Sequence, residues 1–398
     1  MITRNFFKTG QALFSMETYG NPKNPECIVV YDCGGKNTQV VNNVINQTIK
    51  KDRIIDALFI SHYDSDHING VQHLLKRCHV KHLFLPCQEK AIELVLSIMN
   101  QRNKIGPSVL EFYQNPTETI KTSWEIKEVP KITYVNPRED NDKSIENQLD
   151  EDEIDIDNIP DRIKSGTIIK LPIPHDCCWR LIPFNRRVMT DKEWGNFINL
   201  LGISNGTNKV KVDDVLNAWK HKKIKLTSRT KETSCSTIRE YSIKDAFIKA
   251  IGFVDINELS MVLYSGPIRE CGINCIDFPC HCHSFHLCPL GFNKKYRLGC
   301  LYTGDYNAKQ YFNDLKMNYQ QVWDNIGIIQ IPHHGSFNNY SDNLVIPMAY
   351  HVIPYGDQGC SPAVKGIEET TSSIAKKGGF VVRTDNEDVS ISCCKLIT

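Results

Sequence analysis

Ile60-Ser61-His62-Tyr63-Asp64-Ser65-Asp66-His67-Ile68-Asn69-Gly70 places four metal-binding side chains, His62, Asp64, Asp66 and His67, on one short stretch. The run before it, residues 54–60, is apolar and predicts a buried strand. The run after it, residues 70–77, predicts an amphipathic helix. The four groups therefore belong to a tight loop at the C-terminal end of a strand, a common place for α/β sites. Neutral imidazole and carboxylate both bind Zn²⁺, and a carboxylate-rich set also suits Mn²⁺. Packed together without cations, these groups would repel one another or lack partners. A structural histidine accounts for one such residue, but not for His-x-Asp-x-Asp-His. Alternation along an extended chain turns His62, Asp64 and Asp66 one way and His67 another, a geometry that can serve two ions.

Three more stretches follow the same logic in order: Asp32-Cys33-Gly34, Thr303-Gly304-Asp305 and His333-His334-Gly335-Ser336. Together the four resemble the signatures of the metallo-β-lactamase superfamily, in the variant where Asp64 replaces the usual second histidine. The combination is most similar to the ComEC-type hydrolase domain of competence DNA uptake and to its stand-alone relatives. Asn257-Glu258-Leu259-Ser260-Met261-Val262-Leu263 resembles the stretch that precedes the Thr-Gly-Asp strand in that family. The resemblance runs over residues 5–395 with interruptions. It implies an α/β fold, a metallo-β-lactamase-like αββα four-layer sandwich occupying residues 1–398, with insertions.

The resemblance also implies a ligand set. One ion would take His62 and Asp64. The other would take Asp66, His67 and one of the His333-His334 pair, with His334 the candidate ligand. Asp305 would bridge both, and Asp32 would be structural. Two ions about 3.5–4 Å apart can hold a hydroxide between them and stabilise attacking and leaving oxygens. Asp66, His333 and His334 then carry the catalysis, the spare histidine contacting phosphate or donating a proton to the leaving group. The superfamily usually has a histidine where Asn257 stands; an amide oxygen is a weaker ligand, which favours a harder ion such as Mn²⁺. Ser361 stands where the family commonly has a histidine before a proline, so any role of that histidine is absent or moved.

A net charge of +1 gives the molecule no overall electrostatic bias, so attraction to nucleic acid must come from a local patch. The first residues have no long apolar core, and no run is long enough to span a membrane. DNA transport through a membrane channel is thereby excluded from the reading. Sixteen cysteines without a secretion signal suggest reduced thiols or metal ligands in a cytoplasmic protein.

In chain order, residues 1–35 read as two strands, 12–16 and 27–31. Residues 38–49 read as a helix, 80–86 as a strand and 91–101 as a helix. An acidic loop insertion spans 138–162, and a mainly helical basic insertion spans 187–250. In the latter, Lys220, Lys222, Lys223 and Lys225 lie beside Trp219 and are candidate contacts to a phosphate backbone, against the plainer reading of a solvated face. The acidic loop and the helical insertion are also candidate protein-contact surfaces. Strands at 257–265 and 296–303 flank a Cys/His-rich hairpin insertion, 266–296. Its Cys271, Cys275, Cys280, Cys282, His283 and Cys288 are candidate ligands of a structural Zn²⁺. A strand at 326–331 leads to His333, and the chain closes with a helix at 363–377 between further strands.

The function expected from these features is metal-dependent cleavage of phosphodiester bonds, with DNA or RNA as substrate and two Zn²⁺ or Mn²⁺ ions as cofactors. Two alternatives stand beside it: a hydrolase of a small phosphoester or cyclic nucleotide, and a zinc-stabilised interaction module with a vestigial site. The Asp64 variant and the His-His-Gly-Ser motif point away from a β-lactamase. For the cysteine-rich hairpin, an Asp66→Ala, His67→Ala protein is expected to retain zinc by elemental analysis. Cys280→Ser with Cys282→Ser should remove that zinc and lower the melting temperature; unchanged values would dismiss the clip.

Overall fold

A computed structural model describes residues 2–21, 23–87, 107–138, 153–173, 179–187, 191–200, 249, 260–268, 297–356, 366–385 and 387–393. The chain divides into two compact units. One contains residues Met1–Cys87, Thr117–Arg186 and Asn257–Thr398; the other contains Gln88–Pro116 and Arg187–Ile256. In the second unit the helix Asp191–Leu200 pairs the Trp194 and Phe197 rings one turn apart, at 5.5 Å.

The first unit is a mixed α/β structure with two eight-stranded sheets. Its strands in chain order are β1 (Ile2–Phe6), β2 (Phe14–Asn21), β3 (Asn24–Cys33), β4 (Ile54–Phe59), β5 (His79–Pro86), β6 (Lys131–Asn136), β7 (Glu153–Asp155) and β8 (Arg162–Lys164). They continue with β9 (Ile168–Lys170), β10 (Trp179–Phe184), β11 (Val262–Pro267), β12 (Gly299–Tyr302), β13 (Ile326–Gln330), β14 (Tyr350–Ile353), β15 (Phe380–Arg383) and β16 (Val389–Cys393). The first sheet has the order β16-β1-β2-β3-β4-β5-β6-β8, and the second β15-β14-β13-β12-β11-β10-β9-β7.

In the first sheet, β16, β1, β2 and β3 pair antiparallel, while β3, β4, β5, β6 and β8 pair parallel. The second sheet changes in the same way at β12, antiparallel to β11 and parallel to β13. Parallel neighbours need crossovers, and helices supply them. Helix α1 (Thr38–Thr48) joins β3 to β4, helix Ala308–Asn318 joins β12 to β13, and helix Ile367–Lys376 joins β14 to β15. Among the described residues, no helix is long and apolar enough to cross a membrane.

The period of two along the strands assigns their faces. Ala57 and Phe59 of β4 join Phe84, Val29 and Tyr31 in a cluster shared with Leu181, Leu263, Ile328 and Val352 of the other sheet. Their neighbours Leu58, Leu83 and Val30 are buried on the opposite face. Aromatic rings bridge the sheets: Tyr302 lies 5.8 Å from Phe6 and 5.0 Å from Tyr31, and Tyr19 meets Trp179 edge-on at 6.2 Å.

A buried ion pair on the first sheet carries a hydrogen-bond network across this core. Arg4 Nε donates to Glu17 Oε1 at 2.6 Å, and Arg4 Nη2 donates to the Ser265 carbonyl at 3.1 Å. Tyr302 donates its hydroxyl to the same Glu17 oxygen at 2.8 Å, while Tyr19 and Ser265 donate to the other. Burial, then the Glu17 charge, pushes the Tyr19 phenol well above its usual range; burial, Cys300 and Glu17 do the same to Tyr302. Both hydroxyls therefore remain donors. The Arg4 guanidinium also stacks 4.9 Å from the Trp179 ring.

The expected strands and helices are present at most of the described positions, with several differences, among them strand β6 and the helix Pro107–Gln114, which the sequence pattern does not predict. Residues 2–33 hold three strands instead of two, because β1 buries Arg4, a residue that a polarity pattern assigns to the surface. The C-terminal end of the acidic stretch enters the sheets as β7 and β8. The helix Ala308–Asn318 was not expected. Glu17→Ala leaves Arg4 buried without its partner. It should cost about 3–5 kcal/mol of unfolding free energy, measured by urea denaturation; a change inside the ordinary surface range would show that the network is not structural.

Candidate metal centre

The apolar strand β4 ends at Phe59, and Ile60 N donates to the Phe84 carbonyl at 3.0 Å. The chain then turns into one helical turn, α2 (Ser65–Ile68), followed by α3 (Val71–Arg77). This turn ends the alternation expected from the sequence. Asp66 and His67 both enter the site from α2, and Asp64 occupies the N-cap position. A Cβ on Gly34 would lie 1.8 Å from the Asp66 carbonyl oxygen, so only glycine lets the β3 loop pass this close. Asp32, Gly304, His333 and His334 all have φ between 50° and 54°. Left-handed backbone at Asp32 and the two histidines is a strained arrangement of the kind concentrated at functional sites.

The His62, His67 and His334 rings are held by Nδ1. His67 donates Nδ1–H to Asp32 Oδ2 at 2.8 Å. Asp32 is fully buried and also accepts from Ser61 N at 2.7 Å and Ser61 Oγ at 2.6 Å. With its proton committed to Asp32, the Ser61 hydroxyl accepts from His62 Nδ1 at 3.0 Å. Ser260 Oγ lies 3.1 Å from the same nitrogen and accepts from Asp305 N at 2.8 Å. His334 donates Nδ1–H to the Pro354 carbonyl at 3.2 Å. All three imidazoles therefore present Nε2, the arrangement outer partners give to metal-binding histidines.

Asp305 lies between two groups. Its Oδ1 is 3.2 Å from His67 Nε2 and 3.8 Å from His334 Nε2. Its Oδ2 is 3.8 Å from His62 Nε2 and 3.7 Å from His333 Nε2. Asp66 Oδ2 is 3.1 Å from His334 Nε2 and 3.8 Å from His67 Nε2. Ligands about 2.0–2.2 Å from a tetrahedral ion are themselves about 3.3–3.6 Å apart, so these spacings fit metal coordination. Two sets could hold an ion: His62, His67 and Asp305, and Asp66, His67 and His334. The buried atoms His62 Nε2, His67 Nε2 and Asp305 Oδ1 have no hydrogen-bond partner, as expected of groups shaped for a cation. A mixture of imidazole and carboxylate suits Zn²⁺ or Mn²⁺.

The electrostatics agree. Burial works against the charge of Asp66, yet His67 and His334 hold its carboxyl down at about 2. Burial likewise opposes Asp305, but His67 and His334 keep it well below the usual carboxylate range. Burial would lower His67 and His334; Asp305 and Asp32 raise the first, and Asp305 and Asp66 the second. Burial, reinforced by His67, pushes His62 down to about 3, so it is neutral. Protons on His67 and His334 thus balance the carboxylates when no cation is bound.

The site joins Asp66, His67, His62, Asp305 and His334, with half-buried His333 beside Asp305. Asp64 belongs to neither ligand set, and His67 belongs to both. Ser61, Ser260 and Gln330 were missed. Gln330 Oε1 accepts from Thr303 N at 2.7 Å and Gly304 N at 2.8 Å, fixing the turn before Asp305. Their signal was a lone polar residue inside an apolar strand run. Asn257, the cysteine cluster of Cys271, Cys275, Cys280, Cys282, His283 and Cys288, and the lysines Lys220, Lys222, Lys223 and Lys225 lie outside the described residues. So do the helix expected at 91–101, Ser361 and most of the acidic run. Comparison with protein-family models and with curated proteins gives no match.

A histidine whose pKa rises on folding stabilises the folded chain fully below its unfolded value, about 6.5, and loses that contribution as pH climbs through the raised value. The metal-free protein should therefore melt at lower temperature as pH rises above about 6.5. Metal must displace the protons of His67 and His334, so affinity should strengthen over the same interval, by about tenfold per pH unit for each proton released. Calorimetric titration in buffers of different ionisation enthalpy counts those protons. Release of none would contradict this charge assignment.

Proposed function

We propose that the chain is a metal-dependent hydrolase of phosphodiester bonds, with DNA or RNA as substrate, on a metallo-β-lactamase-like αββα sandwich. The observation that carries the reading is the convergence of Asp66, His67, Asp305 and His334 from separate loops, with the Nε2 atom of each histidine turned to Asp305. Two sheets sharing one core, with helices in their crossovers, agree with that architecture. The order of the motifs along the chain agrees with the ComEC-type relatives they resemble.

In this reading Asp66, His67 and His334 would hold one divalent ion, and His62 and Asp305 the second; the one free lone pair of His67, on Nε2, serves a single ion. Such ions supply Lewis acidity for attack of water on phosphorus and neutralise charge on the phosphate. The chain's own residues supply the rest. Asp32 fixes the tautomer of His67 and, through Ser61, that of His62. The Pro354 carbonyl does the same for His334. His333 has its Nε2 3.7 Å from Asp305 and a side chain that is 24% exposed, so it can still reach solvent and substrate. It is placed to contact the phosphate or to give a proton to the leaving oxygen.

The test is incubation of Mn²⁺- or Zn²⁺-reconstituted protein with single-stranded DNA, duplex DNA, RNA and cyclic nucleotides, beside Asp66→Ala. Cleavage of a polynucleotide that Asp66→Ala abolishes is expected. Hydrolysis of cyclic nucleotides alone would move the assignment to the small-substrate alternative, and no bound metal outside the cysteine cluster would favour a vestigial module. His334→Ala should lose metal and activity together. His333→Ala should keep metal while kcat falls about 10²–10⁴-fold.

A further inference from the structure

Beside Asp66 lies a cavity of about 580 Å³, lined by Lys8, Gly10, Gln11, Lys36 and Gly356 among others. That volume is within the range of small-ligand pockets, roughly 300–1,000 Å³. The cavity opens at the one ligand that faces outward. The Asp66 side chain is 35% exposed, whereas His62, His67, Asp305 and His334 are exposed by 0–6%. Its charged lining besides Asp66 is cationic. Lys36 has no ion pair among the described residues, and the Asp66 carboxylate is engaged with His334 at 3.1 Å.

The lining is built, not incidental. Lys36 N donates to the Thr9 carbonyl at 2.8 Å, and Asn69 holds Gly35 from both sides, accepting from its N–H at 2.9 Å and donating to its carbonyl at 2.6 Å. The Lys36 stem runs across Gly10, whose φ is +89°. A Cβ there would sit 2.8 Å from Lys36 Cβ and 3.0 Å from Cδ. Lys8 is fixed by its own N–H, which donates to Asp388 Oδ1 at 2.7 Å. A Cβ on Gly356 would lie 2.5 Å from Gln11 N, so a third chain segment closes against the same loop. Lys36 directly precedes Asn37, the N-cap of α1, where the helix dipole adds to the preference for an anion.

We infer that this cavity binds the nucleotide next to the bond being cleaved, with Lys8 and Lys36 as the cations for its phosphate. The inference rests on the phosphodiesterase reading and adds to it a substrate that extends beyond the reacting phosphate. A small diester ends at the metals; a polynucleotide continues into the cavity. Lys8 and Lys36 are thus binding residues for the chain of the substrate, distinct from the lysines at 220–225.

The experiment uses the full-length, metal-loaded protein as wild type, Lys8→Gln/Lys36→Gln and Lys36→Arg. Steady-state cleavage of a labelled oligonucleotide should show KM raised about tenfold or more in the double variant, with kcat and metal content held. Lys36→Arg should stay close to wild type. Fluorescence anisotropy of the same oligonucleotide, which needs no cleavage, should show weaker binding. The slope of log K against log salt should lose about 0.7 for each lysine removed on a single strand. A double variant with wild-type KM, affinity and salt slope would overturn the inference while leaving the phosphodiesterase reading intact. Wild-type protein that binds the oligonucleotide through these lysines but cleaves no diester would reject the reading and keep the cavity. Wild-type protein that binds no oligonucleotide rejects the cavity as a nucleotide site.

Discussion

The Glu17 carboxylate holds the two sheets in one relation, and the metal centre depends on that relation. Its ligands are divided between the sheets: His62, Asp66 and His67 follow strand β4, while Asp305 and His334 follow β12 and β13. An apolar interface alone is tolerant of small slides, because burial is non-directional. Glu17 instead accepts from Arg4 and Tyr19 on its own sheet and from Ser265 and Tyr302 across the interface. These bonds have preferred lengths and angles, so they penalise displacement. Buried ion pairs are weak evidence for stability as such. Here the pair is better placed to specify position, since a shift of about 1 Å would spoil a centre of this kind.

The sheets also place their site residues at equivalent points. β3 is antiparallel to β2 and parallel to β4; β12 is antiparallel to β11 and parallel to β13. At each change of direction the chains leave the sheet on divergent courses, opening space beyond the strand ends. Asp32 and the His62–His67 loop occupy one such point, Asp305 and the His333–His334 turn the other. The left-handed residues reverse the chain sharply enough to aim side chains inward, and Gln330 and Ser260 take up the backbone N–H groups that these turns expose.

Much of this was legible in the sequence because the informative residues are contiguous. The His62–His67 run, the Thr-Gly-Asp triplet and the His-His-Gly-Ser stretch each announce chemistry locally, and their flanking apolar runs announce strands. Two kinds of feature were not legible. One is polarity turned inward: Arg4 within β1 carries no local sign of burial, and Ser61, Ser260 and Gln330 behind the ligands show only a lone polar residue beside an apolar run. The other is proximity made by tertiary contact. Lys8 and Lys36 line one cavity, where Gly10 leaves space for the Lys36 stem, and Asp66 reaches it through a helical turn that reads as an extended run.

The pairing of β1 with β16 joins residues 2–6 to residues 389–393. Contacts so distant along the chain close a very large loop, whose entropy must be overcome before the contact gives anything back. The segment after β1 carries Lys8, which is itself tied to Asp388, and continues as the wall over Asp66. A chain still emerging from a ribosome can assemble β3, β4 and the His62–His67 loop early. It cannot assemble that wall until residues 388–393, which anchor it, have followed. Timing is thereby built into the topology: the centre acquires its full enclosure only once β16 has emerged to pair with β1.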